Sequence, residues 1–211
     1  MAEIKWFGHG CFRLRGREAT IVMDPVGRST GYVLPKQKAD IVTISHEHPG
    51  HNAKGQVQDG YFLIDGPGEY EVSDVFVTGI RTYHDTESGK QHGFNTVYMV
   101  ELEELRICHL GDLAHPLSEQ QLEGLDAVDV LLVPVGGGKA LNAQGANEVI
   151  GQIEPKIVIP MHYRTEGGDK ELEAIDRFCK ELGLEQTTAQ EKLTIRKSDL
   201  TDTVRIVILA P

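Results

Sequence analysis

Asp40-Ile41-Val42-Thr43-Ile44-Ser45-His46-Glu47-His48-Pro49-Gly50-His51-Asn52 runs from four consecutive β-branched residues straight into three histidines. Branching at Cβ stiffens the side chain and suits a pleated, buried strand, so Ile41–Ile44 reads as a strand. The imidazoles follow within six residues. Neutral imidazole nitrogen is the commonest protein ligand for zinc and similar cations, and a His-x-His pair leaving a strand end can turn two rings toward one point. The spacing therefore points to a metal.

Further along, residues able to bind metal recur just after apolar runs: His84 after Val77-Thr78-Gly79-Ile80, Asp112 after Arg106-Ile107-Cys108-His109-Leu110, and His162 after Ile157-Val158-Ile159-Pro160. A lone histidine at a strand end is usually a surface or hydrogen-bonded core residue. Repetition at successive strand ends is what makes this pattern informative.

Short strands dominate the first two-thirds: Ile4–Phe7, Cys11–Leu14, Thr20–Met23, Ile41–Ile44, Phe62–Ile64, Val75–Ile80, Thr96–Val100 and Arg106–Leu110, parted by Gly, Pro, Asp and Asn. Helices come later. Ser118 with Gln121 forms a capping-box pattern, and Asn142 is placed to cap a second helix that Pro155 ends. Strands are expected at Val130–Val133 and Ile157–Pro160. Leu172, Ile175, Phe178, Cys179 and Leu182 share one face of a third helix, with Gly183 as a left-handed stop. Val204–Leu209 reads as a last strand.

Antiparallel strands first and strand-helix alternation afterwards predict an α/β (α+β) fold, a four-layer αββα sandwich of two mixed β-sheets flanked by helices. The 211 residues suffice for one sizeable core, and no low-complexity stretch divides them, so a single domain over 1–211 is expected.

The chain resembles the metallo-β-lactamase fold superfamily, in the branch of small cytosolic metal-dependent hydrolases related to ribonuclease Z and ascorbate-lactone hydrolases. The matching pieces are Trp6-Phe7-Gly8-His9-Gly10-Cys11-Phe12, Met23-Asp24-Pro25, Ser45 to His51, Thr82-Tyr83-His84-Asp85, His109-Leu110-Gly111-Asp112 and Pro160-Met161-His162-Tyr163, in the family order. The resemblance implies that His46, His48 and His84 hold one metal. It makes Asp112 a bridge to a second, which His51 and His162 also bind, and names Asp112 and His51 as the catalytic pair. Asp24 would orient a ligand histidine through its other ring nitrogen; capping a turn before Pro25 is the alternative. Two cations held about 3.5–4 Å apart lower the pKa of a shared water and ready it for attack.

One position departs from the pattern. The family carries an aspartate, usually a ligand of the second metal, where this chain has Gly50. Three arrangements accommodate the change: His9, in the Gly8-His9-Gly10 corner, takes the missing place; only the first metal binds; or the site binds metal weakly. For His9 itself, a turn histidine between geometry-setting glycines is the competing reading.

Several neighbours are read more plainly. Glu47 points away from its flanking histidines in an extended segment, Asn52 starts a helix, His109 belongs to the core, and His92 and His115 lie in loops. Asp85, Tyr83 and Tyr163 adjoin candidate ligands and are pocket candidates. Gly136-Gly137-Gly138-Lys139 lacks the spacing of a phosphate loop and reads as a tight loop with Lys139 as an anion contact. Asp65-Gly66-Pro67-Gly68-Glu69-Tyr70 reads as a turn.

Composition narrows the function. The formal net charge is −11, with 32 acidic against 21 basic residues and no basic stripe, which argues against nucleic acid as a partner. No segment approaches the roughly 20 apolar residues of a membrane span, and no leader pattern opens the chain, so a cytoplasmic location without membrane attachment is expected. Cys11, Cys108 and Cys179 are widely spaced, without CxxC, and read as reduced thiols. The expectation is a hydrolase that uses a metal-activated water on a small ester, lactone, amide or phosphoester, as a monomer or homo-oligomer. Its cofactor would be one or two divalent ions: zinc first, with manganese, iron and nickel also suited to histidine and carboxylate. A non-catalytic metal-binding or ligand-sensing member of the fold is the alternative.

Overall fold

A computed structural model describes residues 1–184 and 188–211. The strands are β1 (Ala2–Trp6), β2 (Phe12–Arg15), β3 (Thr20–Met23), β4 (Ile41–Thr43), β5 (Phe62–Ile64), β6 (Gly68–Val72), β7 (Val75–Tyr83), β8 (Phe94–Leu102), β9 (Leu105–His109), β10 (Val130–Pro134), β11 (Ile157–Met161), β12 (Leu193–Ile195) and β13 (Arg205–Ile206). The helices are α1 (Glu119–Glu123), α2 (Ala143–Ile153) and α3 (Ile175–Glu181). One sheet has the order β12-β1-β2-β3-β4-β5 and the other β13-β11-β10-β9-β8-β7-β6. Both are mixed, and they form the expected sandwich.

Alternation along the strands sorts the side chains into layers. In β3 and β4, Ile21, Met23 and Ile41 enter the main core, where they join Trp6, Phe12, Tyr98 and Val100. Val22 and Val42 point the other way, into a smaller cluster with Phe7, Val26, Tyr32, Leu34 and Val57. Each fully buried Val, Leu, Ile or Phe stabilises the fold by about 1.5–3 kcal/mol, so both layers contribute. The chain over this outer face of the first sheet contains 3-10 turns at Arg28–Thr30 and Lys54–Gln56 and no α-helix. The α-helices serve the second sheet, whose parallel β10 and β11 are buried throughout and joined through α2.

Strand direction brings the candidate residues together. β1 and β3 both run antiparallel to β2, and β4 runs parallel to β3, so these three strands point the same way. Likewise β7 and β9 run antiparallel to β8, and β10 and β11 parallel to β9. Every candidate residue follows the C-terminal end of one of these like-directed strands.

Some elements differ from expectation. Gly68–Val72, placed partly in a turn by its Gly and Pro, is the edge strand β6. Its mostly exposed face tolerates polar residues, and it pairs with β7 on one side only. β12 is a three-residue edge strand, too short for alternation to show. The third helix begins at Ile175, leaving Leu172 buried in the preceding loop, although Gly183 does take the left-handed conformation (φ 64°). Of Val204–Leu209, Arg205–Ile206 pairs with β11 and Leu209 bridges to Gln190. Ser118 and Asn142 cap their helices as read, Ser118 with the full capping box. Asn52 starts no α-helix; its amide donates to the Glu47 carboxylate. Among the described residues no helix is long and apolar enough to cross a membrane.

Candidate metal centre

The pocket forms where the like-directed strands end. β1 leads to His9, β3 to Asp24, and β4 to the turn carrying His46, His48 and His51; from the other sheet β7 delivers His84, β9 Asp112 and β11 His162. Asp112 stands at the centre. Its Oδ2 lies 3.2 Å from His51 Nε2, 3.3 Å from His84 Nε2 and 3.7 Å from His46 Nε2, and its Oδ1 lies 3.5 Å from His162 Nε2. Three overlapping groups each bring their ligand atoms within 4.8 Å of one another: His46, His84 and Asp112; His46, His48 and His51; and His9, His51 and His162. All seven expected metal residues thus converge. His48 stands apart as the exposed member, grouped with His46 and His51 and not with His84 and Asp112.

Outer hydrogen bonds fix which nitrogens face inward. Asp24, fully buried, accepts the Ser45 N–H at 2.7 Å on Oδ1, and on Oδ2 accepts the Ser45 hydroxyl at 2.5 Å and His51 Nδ1–H at 2.8 Å. With its proton committed to Asp24, the Ser45 hydroxyl accepts from His46 Nδ1 at 2.9 Å. One carboxylate therefore holds His51 directly and His46 through Ser45, leaving Nε2 of each ring for the pocket. Asp24 thus holds the His51 ring by its outer nitrogen.

Three residues at the pocket have a strained backbone. His9 (φ 52°), Asp24 (φ 45°) and His162 (φ 51°) are all left-handed, a conformation that disfavours residues other than glycine. Their neighbours hold them there: the His9 carbonyl accepts Trp6 Nε1–H at 3.0 Å and the His162 N–H at 3.1 Å. Strand β1, the corner at His9 and the end of β11 are thus tied together.

Sequence reading missed Asn95 and Ser45. Asn95, buried in β8, donates to Thr82 Oγ1 at 2.8 Å and to the Leu110 carbonyl at 2.9 Å, and accepts the Asp112 N–H at 3.0 Å. A Cβ on Gly111 (φ 58°) would fall 2.3 Å from Asn95 Oδ1, so that glycine is required both by φ and by this contact. An asparagine inside an apolar strand was the available signal, since a buried amide demands partners.

The pocket chemistry fits a cation. Nε2 of His46, His51 and His84, and Oδ1 of Asp112, are buried without a hydrogen-bond partner. Three imidazole nitrogens and a carboxylate oxygen left unpaired in a dry interior are costly, and a bound cation removes that cost. Burial, aided by His162 and His51, drives the His9 pKa down to about 2. Burial, with His51, drives that of His46 down to about 3. Burial also opposes charge on His51, but the Asp112 and Asp24 carboxylates outweigh it and hold its pKa up at about 10. Asp112 is likewise resisted by burial, yet His162 and His51 keep it well below the usual carboxylate range.

The remaining candidates have other duties. His109 spends both nitrogens internally, Nε2 on the Gly10 carbonyl at 2.8 Å and Nδ1 on the Gly111 N–H at 3.0 Å, as expected of a core residue. Asp85 turns into its own loop, accepting the backbone N–H groups of Glu87, Gly89, Gln91 and His92 at 2.8–3.0 Å. Tyr163 packs on Trp6 with ring centres 5.0 Å apart and is buried, so it belongs to the core. Tyr83 donates its backbone N–H to His115. Glu47 is exposed and turned away, and Lys139 is close enough to His48 to help burial and His51 lower that ring's pKa.

A histidine-rich pocket centred on one carboxylate, at the strand ends of a two-sheet sandwich, defines the class: a protein of the metallo-β-lactamase fold. The chain belongs to the beta-lactamase superfamily, whose domain model matches residues 3–162. It is similar to a UPF0173 metal-dependent hydrolase of Thermoplasma acidophilum, 30% identical over 77% of this chain and 84% of the relative. Among solved structures it resembles a proposed Zn-dependent hydrolase of the metallo-beta-lactamase superfamily from Thermotoga maritima, with a TM-score of 0.81, 34% identity and full coverage of both chains. A metallo hydrolase from Ignicoccus hospitalis shares the fold at a TM-score of 0.69 and 18% identity, over 92% of this chain and 98% of the other.

Proposed function

We propose that this protein is a metal-dependent hydrolase of a small ester, lactone, amide or phosphoester. The observation that carries the reading is the buried Asp112 carboxylate with imidazole nitrogens from both sheets within 3.7 Å, several of them without any other partner. Relatives named as metal-dependent hydrolases support it. His46, His84 and Asp112, with His48 at the rim, would hold one divalent ion; His51, His162 and Asp112 would face a second. When bound, such ions make a water acidic enough to attack at neutral pH and stabilise charge on the substrate oxygen.

The chain's own groups set the stage for that chemistry. Asp24 and Ser45 keep His51 and His46 aimed inward, and Asn95 anchors the Asp112 backbone, so the donors are preorganised. Asp112, held ionised, is a weak base and acts by charge and position. His48, exposed and beside Lys139, stands on the side where an anionic or polar substrate would enter.

The test is hydrolysis of a panel of chromogenic esters, lactones, amides and phosphoesters by protein purified without chelator, by chelator-stripped protein, and by stripped protein reloaded with zinc, manganese, iron or nickel. Activity should vanish on stripping and return on reloading. Protein that binds metal yet hydrolyses none of the four classes in any state would instead favour a metal-binding or ligand-sensing role.

A further inference from the structure

We infer that His9 is a metal ligand in the place of the absent carboxylate at position 50, so that the second half of the pocket is a three-histidine site of His9, His51 and His162 closed by Asp112. The inference rests on the metal reading above and assigns the residues of its second site.

The evidence begins with a missing atom. A Cβ on Gly50 would lie 2.7 Å from His9 Nε2, closer than real Cβ atoms come, and 3.0 Å from His9 Cδ2. The His9 ring thus occupies the space that any side chain at 50 would need. Backbone conformation does not explain the glycine, because Gly50 is not among the residues with positive φ. Its N–H donates to His48 Nδ1 at 3.2 Å, an ordinary contact that any residue could make. What requires glycine there is close approach, chiefly by the ring of His9.

The glycines on either side of His9 also stand at close approaches. A Cβ on Gly10 would meet His51 Cε1 at 2.9 Å, and one on Gly8 would strike the Tyr32 ring at 2.1 Å. Glycines before and after His9 therefore let its corner pass between Tyr32 and His51. The ring centre lies 4.2 Å from that of His162 and 4.6 Å from that of His51, and the nitrogens of the three rings fall within 4.8 Å of one another. The turn closed by the Cys11 N–H on the Gly8 carbonyl accounts for the left-handed φ of Gly8 and His9, but it does not account for a glycine far along the chain whose Cβ would collide with the ring nitrogen.

The chemistry follows from the exchange. Imidazole binds the same borderline cations as carboxylate, zinc above all, but brings no charge. The donor set of the second site is one negative charge poorer than with an aspartate at 50, and Asp112 supplies the carboxylate for both sites.

The experiment is calorimetric titration of chelator-stripped protein with Zn2+, on the intact chain and two variants. His9→Asn keeps a residue that tolerates φ 52°. The double variant His9→Asn/Gly50→Asp removes the ring and returns a carboxylate. The intact chain should take up about two equivalents. His9→Asn should weaken one of them by at least about tenfold, and the double variant should recover it. Unchanged uptake of two equivalents by His9→Asn overturns the inference, as does a single equivalent in the intact chain that His9→Asn leaves unaffected; in both cases the hydrolase reading stands. No zinc uptake by the intact chain overturns both. If His9→Asn does not fold, the imidazole 15N resonances of His9 in the intact protein decide: they should move with the second equivalent of Zn2+, and resonances that stay fixed through saturation contradict the assignment.

Discussion

The two halves of the pocket are built alike and furnished differently. Each draws donors from both sheets, at the ends of like-directed strands. One half sets His46 and His84 directly against Asp112 Oδ2, at 3.7 and 3.3 Å. The other gathers His9, His51 and His162 with the His9 ring tilted against both, and its contact with charge is the shared Asp112 together with Asp24 behind His51. The first half gathers His46, His84 and Asp112, with His48 apart from them at the rim. In the second, on the inference above, a ring from the first strand's corner stands in for a side chain local to the histidine turn, and glycines at 10 and 50 leave the room for it. A site of this kind can change its ligand while keeping its fold, because neighbouring strand ends bring several candidate atoms to one point.

The largest contrast between the halves should come from removing what they share. Asp112→Asn is expected to abolish hydrolysis and to lower the affinity of both zinc equivalents, whereas His162→Ala should weaken only the second. Zinc titration of the two variants side by side checks this, and equal effects would mean that the halves are not separable.

A smaller, structural effect is expected at Asn95. Replacement by alanine leaves the Asp112 N–H and the Leu110 carbonyl without their buried partner, at a cost of about 2 kcal/mol. For a chain of this size that corresponds to a fall of roughly 4–8 °C in Tm. If Asn95 serves the centre as a whole, both halves should lose zinc affinity in parallel.

A further effect is a pH dependence of the metal-free protein. His51 folds with a pKa of about 10 against an ordinary value of 6.5, so its contribution to stability is complete below pH 6.5 and is lost as pH rises through 10. His9 and His46 fold with values of about 2 and about 3, so the unfolded chain gains protons that they refuse, and stability falls as pH drops below 6.5. Thermal melts of stripped protein should peak near pH 6.5, with His51→Phe flattening the alkaline limb and His9→Asn the acid one.

Much of this was legible from residues alone, for reasons that can be named. Ile41–Thr43, Val130–Val133 and Ile157–Met161 are apolar runs buried on both faces, and such runs announce themselves without context. His46 and His162 were visible because each follows such a run, whereas β1 and β7, which lead to His9 and His84, alternate. Edge strands β6 and β12 were not, since an edge needs only one apolar face and tolerates the Gly and Glu of Gly68–Val72. Asn95 was hidden because its partners, Thr82 on one side and Leu110 and Asp112 on the other, come from two segments apart from its own strand. Gly50 was conspicuous as a departure, but its cause lies at His9, forty-one positions earlier in the chain, and only the folded geometry brings the two together.

Anomalous diffraction from a crystal soaked in a zinc salt tests the comparison most directly. Two zinc peaks are predicted, one among His46, His84 and Asp112 and one bounded by His9, His51 and His162, with the His9 ring nitrogen at bonding distance over Gly50. A single peak at the first position, or a second peak with His9 turned away and solvent in its place, would contradict the account.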